Sequence, residues 1–156
     1  MSAPDHDWFP THLRVTVIRA RGLRPKGKNG LNKCYTVIQL GEEKFVTSVK
    51  EGTLNPEWKE QCSLQLPLVL DSSDKWVLHL VVKQSNAVTP DKFLGHVFSL
   101  CFLFDRWYSL ISKPNKAVKN RGQLQLTFQF LRDNMTASSY ELSKFCERGK
   151  VHHLAF

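Results

Sequence analysis

Arg24, Lys26, Lys28 and Lys33 crowd one short stretch, GLRPKGKNGLNK, and Lys92 follows later in NAVTPDKF. Ammonium and guanidinium groups gathered this way attract phosphate and carboxylate oxygens. No acidic residue lies between Asp7 and Glu42, while Arg14, Arg19 and Arg21 extend the same basic stretch. Over the whole chain 22 Lys and Arg stand against 14 Asp and Glu, a formal charge of +8. Such a balance favours polyanions, and both nucleic acid and anionic membrane surfaces qualify. Charge alone does not choose between them.

The elements that hold these cations read as strands. A chain of 156 residues is the size of one domain with a real core. With 42% hydrophobic and 23% charged residues it is globular rather than disordered. Leu13, Val15 and Val17 alternate with polar neighbours, as do Trp58, Cys62, Leu64 and Leu66. Trp76, Leu78, Leu80 and Val82 form a third such face, and Leu124, Leu126, Phe128 and Phe130 a last one. Shorter candidates lie at Cys34–Leu40, Lys44–Val49, Leu94–Leu100 and Trp107–Leu110, separated by turns such as KNGLN, LGEEK and TLNPEW. Ser99–Leu110 also contains a stretch compatible with a turn or two of helix.

About eight strands and no long amphipathic helix predict an all-β, eight-stranded antiparallel sandwich. It occupies residues 11–132, after an N-terminal arm at 1–10 and before an irregular tail at 133–156. A short helix around Ser138 to Phe145 is compatible with that tail. Trp58, Trp76 and Trp107 read as packing residues, and Trp8 with Phe9 could close a sandwich edge.

The N-terminal residues MSAPDHDWFPTH do not read as a signal peptide, and no apolar run reaches the ~18 residues of a spanning helix. Cys34, Cys62, Cys101 and Cys146 are scattered, the pattern of buried thiols in a reducing cytosol. Asn134 to Thr136 forms a glycosylation acceptor that is idle in such a setting. His152 and His153 with Cys146 fit no zinc spacing, so no metal or cofactor is expected. No nucleophile elbow, phosphate-cradling glycine loop or cysteine–histidine arrangement supports catalysis. The basic loop lacks the aromatic interleaving of a single-strand platform, so nucleic acid is not the expected partner. A second basic run, Lys113, Lys116, Lys119 and Arg121, reads as a solvated connector before the last strand.

LRVTVIRARGL, NKCYTVIQLG, TLNPEWKE, DKFLG and WYSL, in that order, resemble a C2 domain. WFPTHLRVTVIRARGLRPKGKNG, YTVIQLG, DKFLG and RDNMTAS are similar, more narrowly, to the class I Rab-eleven family-interacting proteins, adaptors of recycling endosomes. The resemblance runs from about Trp8 to Lys144. A chain that opens on the strand before the first loop and closes on Gln123–Phe130 resembles the permuted, second C2 topology. The resemblance places three loops at one end: Arg24–Lys33, Lys50–Glu57 and Gln84–Lys92.

Calcium-binding C2 domains hold their ion on aspartates of the first and third loops, because a hard dication takes ~6–8 oxygens. At the matching positions this chain has Gly27, Lys33, Gln84, Asn86 and Lys92, none of them a carboxylate, with Asp91 one residue off the pattern. Calcium is therefore not expected. Arg24, Lys26, Lys28, Lys33 and Lys92 would supply the positive charge themselves, and Leu31 or Val88 a small apolar wedge. At ~1 kcal/mol per basic residue the five give roughly 5 kcal/mol at an anionic surface, a reversible attachment that calls for a second signal. The resemblance implies headgroup contacts with phosphatidylinositol trisphosphate and phosphatidic acid, and peripheral residence on recycling endosome and plasma membrane.

Tyr35 and Lys44 match a second, lysine-rich groove on the concave sheet face of some C2 domains, but Val37 and Val46 replace two of its lysines. A protein-interaction sandwich that never touches lipid is the alternative reading. The resemblance also implies a Rab small GTPase partner. The helix that would bind it is not seen in this sequence, as expected of a fragment or of a short form competing with a longer adaptor.

Overall fold

The computed structural model describes residues 10–66, 77–99, 105–132 and 135–138. Its strands are β1 (His12–Arg21), β2 (Asn32–Leu40), β3 (Glu43–Val46), β4 (Lys50–Thr53), β5 (Glu57–Gln65), β6 (Leu78–Gln84), β7 (Lys92–Ser99), β8 (Arg106–Ser109), β9 (Gln123–Arg132) and β10 (Met135–Ser138). Successive side chains of a strand point to opposite faces, so alternation decides what is buried. Leu13, Val15 and Val17 of β1, Leu78, Leu80 and Val82 of β6, and Leu124 and Leu126 of β9 are all fully enclosed. Each such side chain contributes about 1.5–3 kcal/mol by leaving water. A register shift between Val17 and Arg19 of β1 adds one residue, after which the inward face resumes at Ala20.

The strands form two antiparallel sheets whose inner faces make one core. One sheet runs β5–β1–β9, and its outer edge is shared: β8 pairs Gln123–Leu126 and β10 pairs Gln129–Arg132 of β9. The other runs β7–β6–β2 with the same device. Here β4 pairs the start of β2, Asn32 to Cys34, and β3 pairs its end, Val37 to Leu40. Closure of the last long strand onto the first, β9 along β1, is compatible with the permuted arrangement.

The all-β sandwich is as expected, but it has ten described strands rather than eight. β4 lies in the segment read as the second loop. KEGT has no alternation to betray a strand, and β4 is held by backbone pairing with β2. β10 lies within the stretch read as an irregular tail, held by backbone pairs with Gln129 to Arg132. The strand candidate at Trp107–Leu110 is a strand, Arg106–Ser109, with Tyr108 buried between less buried neighbours, while residues 100–104 of the helix-compatible stretch lie outside the described residues. Trp58 packs in the core and donates its indole N–H to the Ser48 carbonyl at 2.9 Å. Trp107 instead sits on the outer face, with the Arg21 guanidinium 3.8 Å and that of Arg19 5.8 Å from its ring centre. Trp8, Phe9, Trp76, Cys101, Cys146, His152, His153 and the helical candidate after Ser138 lie outside the described residues.

Candidate anion-binding site

Gly22, at φ +66°, turns the chain out of β1 into the basic loop. Asn55 of the TLNPEW turn holds that exit, its Oδ1 accepting the Gly22 N–H at 2.9 Å. A single 3₁₀ turn at Lys28–Gly30 reverses the loop, with Asn29 and Gly30 in the left-handed region that those two residue types tolerate.

Two buried amides fix the rest. Asn32, 1% exposed, accepts the N–H groups of Lys26 and Gly27 at 2.8 and 3.0 Å and donates to the Arg24 carbonyl at 2.9 Å. Gln84, 3% exposed, accepts the Lys33 N–H at 2.6 Å and donates to the Ser85 carbonyl at 3.0 Å. Across the third loop, Asp91 accepts the Asn86 N–H at 3.0 Å and the Tyr35 hydroxyl. The Tyr35 hydrogen bond and then the Asn86 N–H hold the Asp91 carboxyl below its ordinary range. Desolvation first, and Asp91 second, push the Tyr35 phenol up to about 12.

This scaffold brings Lys26, Lys28, Lys33 and Lys92 together around one open cleft of about 760 Å³, with Leu31 and Val88 on its walls. Lys92 Nζ donates to the Lys26 carbonyl at 3.5 Å. Val88 is 96% exposed and Leu31 43%, so apolar surface stands beside the ammonium groups. Arg24 is half-buried and does not line the cleft. The acid-free stretch of sequence is not acid-free in space. Glu51 of β4 also lines the cleft, its carboxylate 3.9 Å from Lys33 Nζ, an exposed pair that offsets part of the charge.

The five positions expected to hold a dication, Gly27, Lys33, Gln84, Asn86 and Lys92, present no carboxylate. Lys33 and Lys92 present ammonium groups. Gln84 has its carbonyl and amide groups engaged with the protein, and Asn86 Nδ2 donates to the Pro90 carbonyl at 3.1 Å. A Cβ on Gly27 would lie 2.0 Å from the Leu31 carbonyl oxygen, leaving no room for a carboxylate there. Among the described residues, no three His, Cys, Asp or Glu gather where an ion could sit.

Tyr35 and Lys44 lie on the outer face of the β3–β2–β6–β7 sheet, Tyr35 at the end that reaches Asp91 of the third loop. Tyr35 pairs with Lys83 and Lys44 with Gln39, separated along β2 by Val37. Val46 there is 49% exposed and Phe98 48%. His79, His96, Phe93 and Phe98 make a row of ring contacts, the successive centroids 5.7–6.1 Å apart.

A C2 domain family model matches residues 11–102. The chain belongs to the C2 domain family. This C2 domain is 42% identical over 153 residues to Rab11 family-interacting protein 1 of Mus musculus, a match covering 90% of the chain and 24% of that protein. It is 40% identical over 166 residues to Rab11 family-interacting protein 5 of Homo sapiens, covering 87% of the chain and 25% of that protein. The chain thus spans about a quarter of the length of these relatives, which are named as interacting proteins and not as enzymes. In fold, a structure holding two C2 domains of Extended-Synaptotagmin 2 superposes with a TM-score of 0.61 at 23% identity, covering 97% of this chain and 52% of that one. A C2 domain of plant Extended Synaptotagmin 1 gives 0.59 at 23% identity, over 81% of this chain and 100% of that chain.

Proposed function

We propose that the loop end of this C2 domain binds anionic phospholipids without calcium and holds the protein peripherally on recycling endosomes and plasma membrane. The observation that carries this reading is the convergence of Lys26, Lys28, Lys33 and Lys92 on one cleft walled by exposed Leu31 and Val88. Four ammonium groups at ~1 kcal/mol each, less the share taken by Glu51, give roughly 3–4 kcal/mol of attraction. Leu31 and Val88 add the second signal that a reversible contact needs. Phosphatidylinositol trisphosphate and phosphatidic acid are the proposed headgroups. The absence of room at Gly27 and the amides at Gln84 and Asn86 support independence from calcium. As part of a longer adaptor carrying a GTPase-binding helix, the domain would deliver a Rab partner to the same membranes.

Co-sedimentation with phosphatidylcholine vesicles, alone or doped with either lipid, tests this. Binding is expected to rise with the anionic lipid, ignore chelator and fall on Lys26→Glu with Lys28→Glu. Equal sedimentation on neutral vesicles would end the proposal. A second reading, a protein-docking module, rests on exposed Val46 and Phe98 of the outer sheet face. A pulled-down partner released by Val46→Asp but not by the lysine reversals would favour it.

A further inference from the structure

The lysines of the second basic run are exposed, as expected of a solvated connector, but the run is tied down around them. Between β8 and β9 the chain is pinned at both ends. At Leu110–Ile111 it runs beside β7, where Gly95 leaves room for Leu110; a Cβ on that glycine would lie 2.7 Å from Leu110 Cβ. His96 and Ile111 exchange backbone hydrogen bonds of 3.1 and 2.8 Å. At the other end Gly122, at φ +87°, passes so close to β1 that a Cβ would meet the Arg21 carbonyl oxygen at 2.3 Å. Between these points Ser112 Oγ accepts from the Lys119 N–H at 3.2 Å and from Arg121 Nε at 2.7 Å, folding the connector on itself.

The result is a cup of about 350 Å³ lined by Lys26, Phe93, Lys113, Lys116, Lys119 and Arg121. Arg121 is only 9% exposed, and among the described residues no carboxylate lies within ion-pair distance of it or of the three connector lysines. Burying a guanidinium without a counter-charge is costly. Its bond to Ser112, a 3.4 Å bond to the Leu94 carbonyl and the Phe93 ring centre at 5.3 Å compensate only in part. Lys113 Nζ lies 5.1 Å from the same ring. A guanidinium fork has five N–H donors, and two protein acceptors leave donors free at the wall of the cup.

We propose that this cup is a second site for a phosphate-bearing anion, with Arg121 as its buried anchor and Lys113, Lys116 and Lys119 around its rim. Its volume lies within the range of small-ligand pockets. Lys26 lines both the cup and the loop-end cleft, so the two basins adjoin. Val118, between the rim lysines, is 95% exposed, as Val88 is beside the other basin. That repetition of lysines flanking an exposed valine favours a lipid headgroup as the source of the phosphate. The lipid source rests on the membrane reading above; the anion site does not.

The test uses soluble inositol hexakisphosphate and phosphatidic acid vesicles, each on the unaltered chain and on Lys116→Glu with Lys119→Glu, both exposed positions. Nuclear magnetic resonance should show the soluble anion moving the Arg121 Nε–H and Phe93 ring signals, and the double reversal should abolish those shifts while leaving the melting temperature unchanged. The same variant should bind the vesicles about tenfold more weakly. Arg121 and Phe93 signals that ignore the soluble anion would overturn the site. Shifts in solution with unaltered vesicle binding of the variant would overturn its lipid source and keep the anion site. If even the unaltered chain ignored vesicles while Arg121 responded to the soluble anion, the membrane reading would fail and a soluble phosphate would be the ligand.

Discussion

The loop end and the outer face of the β3–β2–β6–β7 sheet differ in the side chains they present to solvent. At the loop end, Lys26, Lys28, Lys33 and Lys92 gather on one cleft, and the amides of Asn32 and Gln84 hold the loop backbones. On the sheet face, Val37 and Val46 pair with each other, and the neighbouring surface is His79, His96 and Phe98. Ammonium groups gather beside exposed Leu31 and Val88 at the one, while the other sets valines and rings around fewer cations, so the proposed membrane contact is made tip-first.

Breaking the charged end should give the largest effect. Lys26→Glu with Lys28→Glu removes two attractions and adds two repulsions, a loss of about 2–4 kcal/mol, or at least tenfold in vesicle affinity. Gly27→Asp tests whether that end can be made into an ion site. The Cβ would sit 2.0 Å from a backbone oxygen. The expected outcome is a destabilisation of about 1–3 kcal/mol in a denaturant titration, with no stabilisation by added calcium. Sharpening the contrast from the other side, Val37→Lys with Val46→Lys should change vesicle affinity less than about threefold, because the ~1 kcal/mol per basic residue is gained only by charges that reach the anionic surface. Lys44→Glu, on a face that holds little charge, should change affinity less than about twofold.

The smallest effect concerns acid. Burial first, and the His79 charge second, hold the His96 pKa below its ordinary 6.5. A depressed folded-state value means stability that is present above 6.5 and lost as pH falls through that value towards the folded one. Thermal melts should therefore show a modest fall between neutral and mildly acidic pH, reduced in His96→Gln.

Sequence showed the long strands clearly because β1, β6 and β9 alternate with period two over their buried lengths. It could not show β4 or β10, since KEGT and MTAS carry no period and are ordered by backbone bonds to a neighbouring strand. The lysines of the loop end were legible as a cluster; that Arg24 would stand outside the cleft and Glu51 inside it was not. Asn32 and Gln84 carry a readable mark that the charge pattern overshadows. Both are in phase with the buried residues of their strands, Asn32 with Cys34 and Ile38, Gln84 with Leu80 and Val82. A polar residue on the inward phase must find partners, and here those partners are the loop backbones. The cup at Arg121 was beyond reach, because only folding brings Lys26 and Phe93 to residues 113–121.

Amide signal loss caused by spin-labelled lipid headgroups, measured residue by residue on vesicle-bound protein, separates the two regions directly. A tip-first contact predicts the strongest loss at Lys28, Leu31 and Val88, with Lys44, Val46 and Phe98 spared. The strongest loss along Tyr35 to Val46, or equal loss over the whole surface, would contradict it.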